Sequence, residues 1–171
     1  QAEMAELTPL ERLQPALLDR LIDDTPDKKQ EPREQRLLTR QRFRQAVLRD
    51  LGWLFNAARP TMDATMAACE HAQHSVVNYG LPSMSGETAS TFDVVALEAS
   101  IRQAIVDFEP RIDASTLIVE AKVAQVALDH HNQLQVQIRG SMWAQPVPIE
   151  LLLRTDVDLE TGQVAVHDLS R

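Results

Sequence analysis

The hydrophobic period of this chain changes once, at Pro110, and that change limits the fold more than any other feature. Upstream, Val94, Leu97, Ile101, Ile105 and Phe108 recur at steps of 3, 4, 4 and 3, the stripe of an amphipathic helix. Thr91 or Asp93 can accept the first unpaired N–H groups. Pro110 disfavours helical backbone at Glu109, so the helix is predicted to end there. Downstream the period is two. Leu117, Val119, Ala121 and Val123 alternate with polar or less apolar neighbours, and the phase then slips to Val126 and Leu128, which predicts a bulge near Ala124. Asp129 to Asn132 makes the next connection. Leu134, Val136 and Ile138 alternate with Gln133, Gln135, Gln137 and Arg139, and Val147, Ile149, Leu151, Leu153, Thr155 and Val157 form a further face. Glu160-Thr161-Gly162 reads as a hairpin turn before a short strand from Gln163 to His167. Strands apolar on one face imply an antiparallel meander covered by helices on that side, an α+β domain.

The N-terminal half is helical in pattern. Leu10, Leu13, Leu17 and Leu21 lie on one stripe, with Thr8-Pro9 as a cap and first helical position and Pro15 bending or shortening the helix. So narrow a stripe needs a surface to lie on. Residues 23–34 hold two prolines and eight charges with no other apolar side chain, the composition of a linker. A second helix is expected from about Pro32 or Arg33 to Phe55, with Phe43, Val47, Leu51 and Leu54 on its apolar face, and a short one within 65–75. The division is an N-terminal arm and charged linker, 1–32, and a domain, 33–171.

Composition removes several function classes. The net charge is −8, and the one basic stretch, residues 31–59 with seven basic and three acidic groups, interleaves its arginines with helix formers, unlike the dominant basic surface of a nucleic-acid binder. The single cysteine, Cys69, forms no intrachain disulfide and suits a reducing cytoplasm. No apolar run approaches the roughly 20 residues of a membrane helix, so no membrane insertion is expected. Cys69, His71 and His74, even with His130 and His131, lack the spacing of a structural metal site, since residues two apart diverge on a helix. No glycine loop cradles phosphate and no nucleophile elbow is present. No cofactor and no metal are implied.

Two strings remain: Ser75-Val76-Val77-Asn78-Tyr79-Gly80-Leu81-Pro82, and Phe108-Glu109-Pro110-Arg111-Ile112. A Glu-Pro-Arg triplet alone is weak, since Glu31-Pro32-Arg33 repeats it. In this order, with Ser85-Gly86 between them, the longer strings resemble the baseplate wedge family of contractile injection machines, the family of the type VI secretion subunit TssE, which carries an older lysozyme-like label. The resemblance covers most of 33–171. It implies a structural, non-enzymatic component of the type VI secretion baseplate that joins other wedge subunits and initiates contractile sheath assembly, in the cytoplasm at the inner face of the envelope. It assigns Glu109, Pro110 and Arg111 to the contact with sheath subunits, and a sheet edge open to strand exchange would serve the same junction. Leu13, Leu17 and Leu21 are the expected contact with wedge partners. Two alternatives stay open. Glu109 and Arg111 can satisfy each other within the chain, and the older label raises a peptidoglycan-cleaving hydrolase. The hydrolase needs two carboxylates roughly 5–9.5 Å apart across one groove, one of them in an apolar setting. Few aromatics are present to line a sugar cleft.

Overall fold

The computed structural model describes residues 16–22, 39–60, 64–83, 93–123, 133–144 and 147–169. The Thr8-Pro9 cap, Leu10, Leu13, the linker at 23–34, the bulge near Ala124 and the connection at 129–132 lie outside these residues. Among the described residues, five α-helices, α1 (Leu17–Leu21), α2 (Arg40–Asn56), α3 (Ala64–Ala68), α4 (Glu70–Gln73) and α5 (Val94–Phe108), with a 3-10 turn at Val76–Asn78, accompany four strands. The strands β1 (Ile118–Val123), β2 (Gln133–Met142), β3 (Ile149–Asp158) and β4 (Val164–Asp168) form one antiparallel sheet in sequence order. The α+β meander predicted from the period change is the observed architecture.

The helix predicted before Pro110 is α5. Asp93 accepts the Ala96 N–H at 3.0 Å as its cap, and Leu97, Ile101 and Ile105 are buried. In α2 the four predicted apolar residues are buried together with Ala46 and Phe55. That helix begins later than predicted, at Arg40, because Thr39 is extended and its hydroxyl caps the Arg42 N–H at 3.2 Å. The short helix predicted within 65–75 is broken at Cys69 into α3 and α4. Val147 is not on the buried face of β3; it is exposed before Pro148, and the strand starts at Ile149.

Alternation sets the core. Leu134, Val136 and Ile138 of β2 and Leu151, Leu153, Thr155 and Val157 of β3 are all at most 1% exposed. In register, Val136 lies between Ala121 and Thr155, and Ile138 between Val119 and Leu153. Thr155 is polar in this layer, and its hydroxyl donates to the Val136 carbonyl at 3.0 Å, which removes the desolvation penalty of an unpaired group.

Helix side chains reach both edges of the sheet. On β1, the Glu98 carboxylate accepts the Ala121 N–H at 2.6 Å, and just before the strand the Arg102 guanidinium donates to the Leu117 carbonyl. On β4, the Asn56 amide donates to the Val164 carbonyl at 2.9 Å and accepts the Val164 N–H at 3.0 Å. A side-chain amide thus imitates one rung of a neighbouring strand. Asp158 N–H donates to the Gln163 carbonyl, so the outward-facing backbone of β4 belongs to Val164, Val166 and Asp168.

Candidate functional site

The proline turn is bolted between a helix end and a strand end. Glu109 caps α5 with its N–H on the Ile105 carbonyl at 2.8 Å, and the Ile112 N–H returns to the Glu109 carbonyl at 3.1 Å, closing the turn around Pro110. The chain then runs beside the end of β2. Trp143 N–H donates to the Arg111 carbonyl at 2.8 Å and Asp113 N–H to the Ser141 carbonyl at 2.9 Å. Arg111 and Glu109 are therefore fixed by backbone as well as by side chains.

Their side chains meet. Glu109 is 3% exposed; its Oε1 accepts the Arg111 Nε–H at 2.6 Å and the Arg111 backbone N–H at 3.2 Å, while its Oε2 accepts from Arg111 Nη2. A carboxylate here opposes the helix dipole by about 0.3–1 kcal/mol, and the bidentate guanidinium more than offsets that. The same Nη2 also donates to Asp50 on α2 at 2.6 Å. Burial opposes the charge on Arg111, but bonding and charge from Glu109, then Asp50, hold its pKa above the ordinary arginine value. Pro110 is exposed at the tip of the turn, and the Arg111 side chain is about one-fifth exposed.

The pair does not stand alone. Asp50 Oδ1 accepts Arg49 Nε–H at 2.9 Å. Arg49 Nη2 also approaches that oxygen at 2.8 Å, an ion pair without the alignment of a hydrogen bond. Arg49 Nη1 donates to Asp19 of α1 at 2.5 Å, and the guanidinium lies 5.0 Å from the Trp53 ring centroid. The hydrogen bond that Arg49 donates to Asp19 is the main reason the Arg49 pKa is raised. Glu109, Arg111, Asp50, Arg49 and Asp19 thus form one chain of alternating charge from the proline turn to the N-terminal arm.

The first string joins this site. Tyr79 packs edge-on against Phe108, with centroids 5.2 Å apart and planes at 69°. Burial, then the charges of Asp50 and Glu109, push its phenol up from its usual pKa. Leu81 N–H donates to the Ala57 carbonyl at 2.8 Å and its own carbonyl accepts Arg59 N–H at 2.9 Å, so the string is tied to the end of α2. The two strings, thirty residues apart in sequence, share one surface.

The structure places the expected contact residues unequally. Glu109 and Arg111 are brought together and to Asp50, whereas Leu17 and Leu21 sit on the arm at 72% and 73% exposure; Leu13 lies outside the described residues. Sequence reasoning missed Asp19, Arg49 and Asp50. Among the described residues no group of three His, Cys, Asp or Glu side chains gathers as a metal site; His74 pairs with Asp107 at 3.0 Å. No described helix is long and apolar enough to cross a membrane. Among the described residues, the Glu109 carboxylate is given to Arg111 and that of Glu98 to the Ala121 N–H.

No curated protein and no solved structure matches the chain at a significant level. A protein family does: the family described as baseplate wedge protein gp25 matches residues 41–147, a span that holds both strings, α5, β1, β2 and all of α2 but its first residue. It is the family of TssE, which assembles with other baseplate subunits. The chain belongs to this family of baseplate wedge proteins, and its role is a structural one in a contractile baseplate.

Proposed function

We propose that the protein joins wedge subunits through its N-terminal arm and starts sheath growth from the face carrying the proline turn and a sheet edge, in the cytoplasm and without catalytic turnover. The polarity of α1 carries the reading. Its polar side is anchored through Asp19 to Arg49, and none of its residues is buried. Leu17 and Leu21 instead point outward at more than 70% exposure. Exposed leucines on a single short helix cost solubility unless another surface covers them, and wedge subunits are the partners the family supplies. Leu13 extends the same stripe by its spacing. The double substitution Leu17→Asp and Leu21→Asp is expected to reduce co-purification with the other wedge subunits at least tenfold while leaving the unfolding temperature unchanged. Undiminished co-purification would set this reading aside.

On the sheath side, Pro110 and the exposed part of Arg111 make the proposed contact, and β4 is the edge better suited to accept a strand from the first sheath ring. Adding a strand on β1 displaces two charge-assisted hydrogen bonds, from Glu98 and Arg102, whereas adding one on β4 displaces the neutral Asn56 amide; charge-assisted bonds are roughly twice as strong. An open groove of about 740 Å³ lined by Arg40, Arg44, Ile149, Leu152 and Leu169 continues from the far end of β4. Val166→Pro removes an outward N–H without touching a rung to β3, a change edge strands tolerate. It is expected to abolish sheath growth on assembled baseplates. Val119→Pro, the equivalent change on β1, is expected to leave growth intact, and the reverse pattern would move the junction to β1.

A further inference from the structure

Asp50 stands between two guanidinium groups and has one carboxylate to divide between them. Its Oδ2 meets Arg111 at 2.6 Å and its Oδ1 meets Arg49 at 2.9 Å, the latter assisted by an unaligned second approach. Arg49 is divided in turn between Asp50 and Asp19. Beyond this link the arm has little else to hold it among the described residues. Helix α1 has five residues, none buried, and the Asp19 Oδ2 is enclosed without a hydrogen-bond partner, which costs the docked state part of its stability. So short a helix is not stable by itself. Among the described residues, its docking therefore depends chiefly on how much of Arg49 is left for Asp19.

We propose that the arm and the proline turn are coupled through Asp50, with a sign that alternates along the ion-pair chain, so that engagement of one partner surface alters the availability of the other. The inference goes beyond the assembly role above and rests on it for the identity of the two surfaces. When Arg111 is withdrawn from Asp50, the carboxylate turns wholly to Arg49, Arg49 releases Asp19, and the arm loosens. When Glu109 no longer holds Arg111, Arg111 takes more of Asp50, Arg49 turns to Asp19, and the arm tightens. A partner carboxylate that captures Arg111 at the turn would thus free the leucine face of α1 to reorient, which orders the two contacts in time.

The test uses the full chain alone, so its result is separate from that of the co-purification experiment. Trypsin cleavage at the Arg20–Leu21 bond, followed by mass spectrometry under native conditions, reports the undocked population when opening is faster than cutting. Cleavage after Arg102, within the regular backbone of α5, serves as the control for global unfolding, and the temperature is kept well below the lowest Tm. Arg111→Met is expected to speed cleavage at Arg20 about threefold or more, and Glu109→Gln to slow it by a similar factor, the lower end of couplings within one ion-pair network. In an Asp50→Asn background both effects are expected to vanish. A merely structural role would make both variants speed cleavage. That outcome, no change in either, or effects that persist without Asp50, overturns the proposal.

Discussion

Replacing Arg111 with alanine is expected to lower the stability of the isolated protein by about 3–5 kcal/mol, the penalty for removing one member of a buried ion pair. Glu109 would keep a single donor, the backbone N–H of residue 111, in a site where it is 3% exposed. Asp50 would lose its shorter bond, and the cation 6.0 Å from the Phe43 ring centroid would be gone. For a chain of this size the drop corresponds to roughly 10 °C in Tm, measured by calorimetry or by urea unfolding with an unchanged m-value. Such a loss would explain a defect in assembly without any contact to a partner, so the single variant does not separate the two roles. The double substitution Glu109→Gln and Arg111→Met does. Replacing both members with groups of similar volume is often close to neutral in stability, and here it removes the exposed guanidinium while the turn keeps its backbone bonds to Trp143 and Ser141. The double variant is expected to fold with wild-type Tm within a few degrees and still fail to start a sheath. Normal sheath growth from it would make the motif wholly internal to the fold and end the partner role of Arg111.

The sequence announces this site unevenly, for physical reasons. Period and proline chemistry are local properties, so α5, its end before Pro110, and the buried faces of β2 and β3 could be read directly. The caps are local too, but Thr39 was hidden by the continuous charge pattern that precedes it. Asp50 contacts Arg111 across 61 positions, and no local rule reports such a contact. A signal was nevertheless present. Phe43, Val47, Leu51 and Leu54 define the apolar stripe of α2, and Asp50, seven residues after Phe43 and four before Leu54, lies on that stripe. A carboxylate among core positions demands a cation, and the arginine after Pro110 meets that demand. Glu109 follows the same logic at the helix end, where its charge is opposed by the dipole and only a strong partner justifies it. Asp19 was not legible, because its neighbours give no reason to expect the polar side of the arm, and not the leucine side, to face the domain.

Gly80→Ala is expected to cost about 3–5 kcal/mol, combining the strain of a non-glycine residue at an unfavourable backbone angle with the loss of neighbouring hydrogen bonds. Gly80 has φ +115°, a conformation L side chains rarely adopt, and an added Cβ would lie 2.2 Å from the Ala57 carbonyl oxygen and 2.7 Å from its carbon. That oxygen accepts the Leu81 N–H at 2.8 Å, so the clash falls on the bond that ties the first string to the end of α2. Relief requires the two backbones to part, which also strains the Arg59 to Leu81 bond and draws Leu81, 2% exposed, out of the core. The disturbance reaches the proline turn, since Tyr79 is adjacent and rests on Phe108. Gly52→Ala gives a matched control. That glycine lies within α2 with nothing inside 4 Å of an added Cβ, and alanine there is expected to stabilise by about 0.5–1 kcal/mol. Two identical substitutions in one chain should therefore move Tm in opposite directions, down by roughly 10 °C at 80 and up by a few degrees at 52. A mild effect at 80 would mean that the bridge between Ala57 and Leu81 can shift freely, and the shared surface of the two strings would then not depend on that glycine.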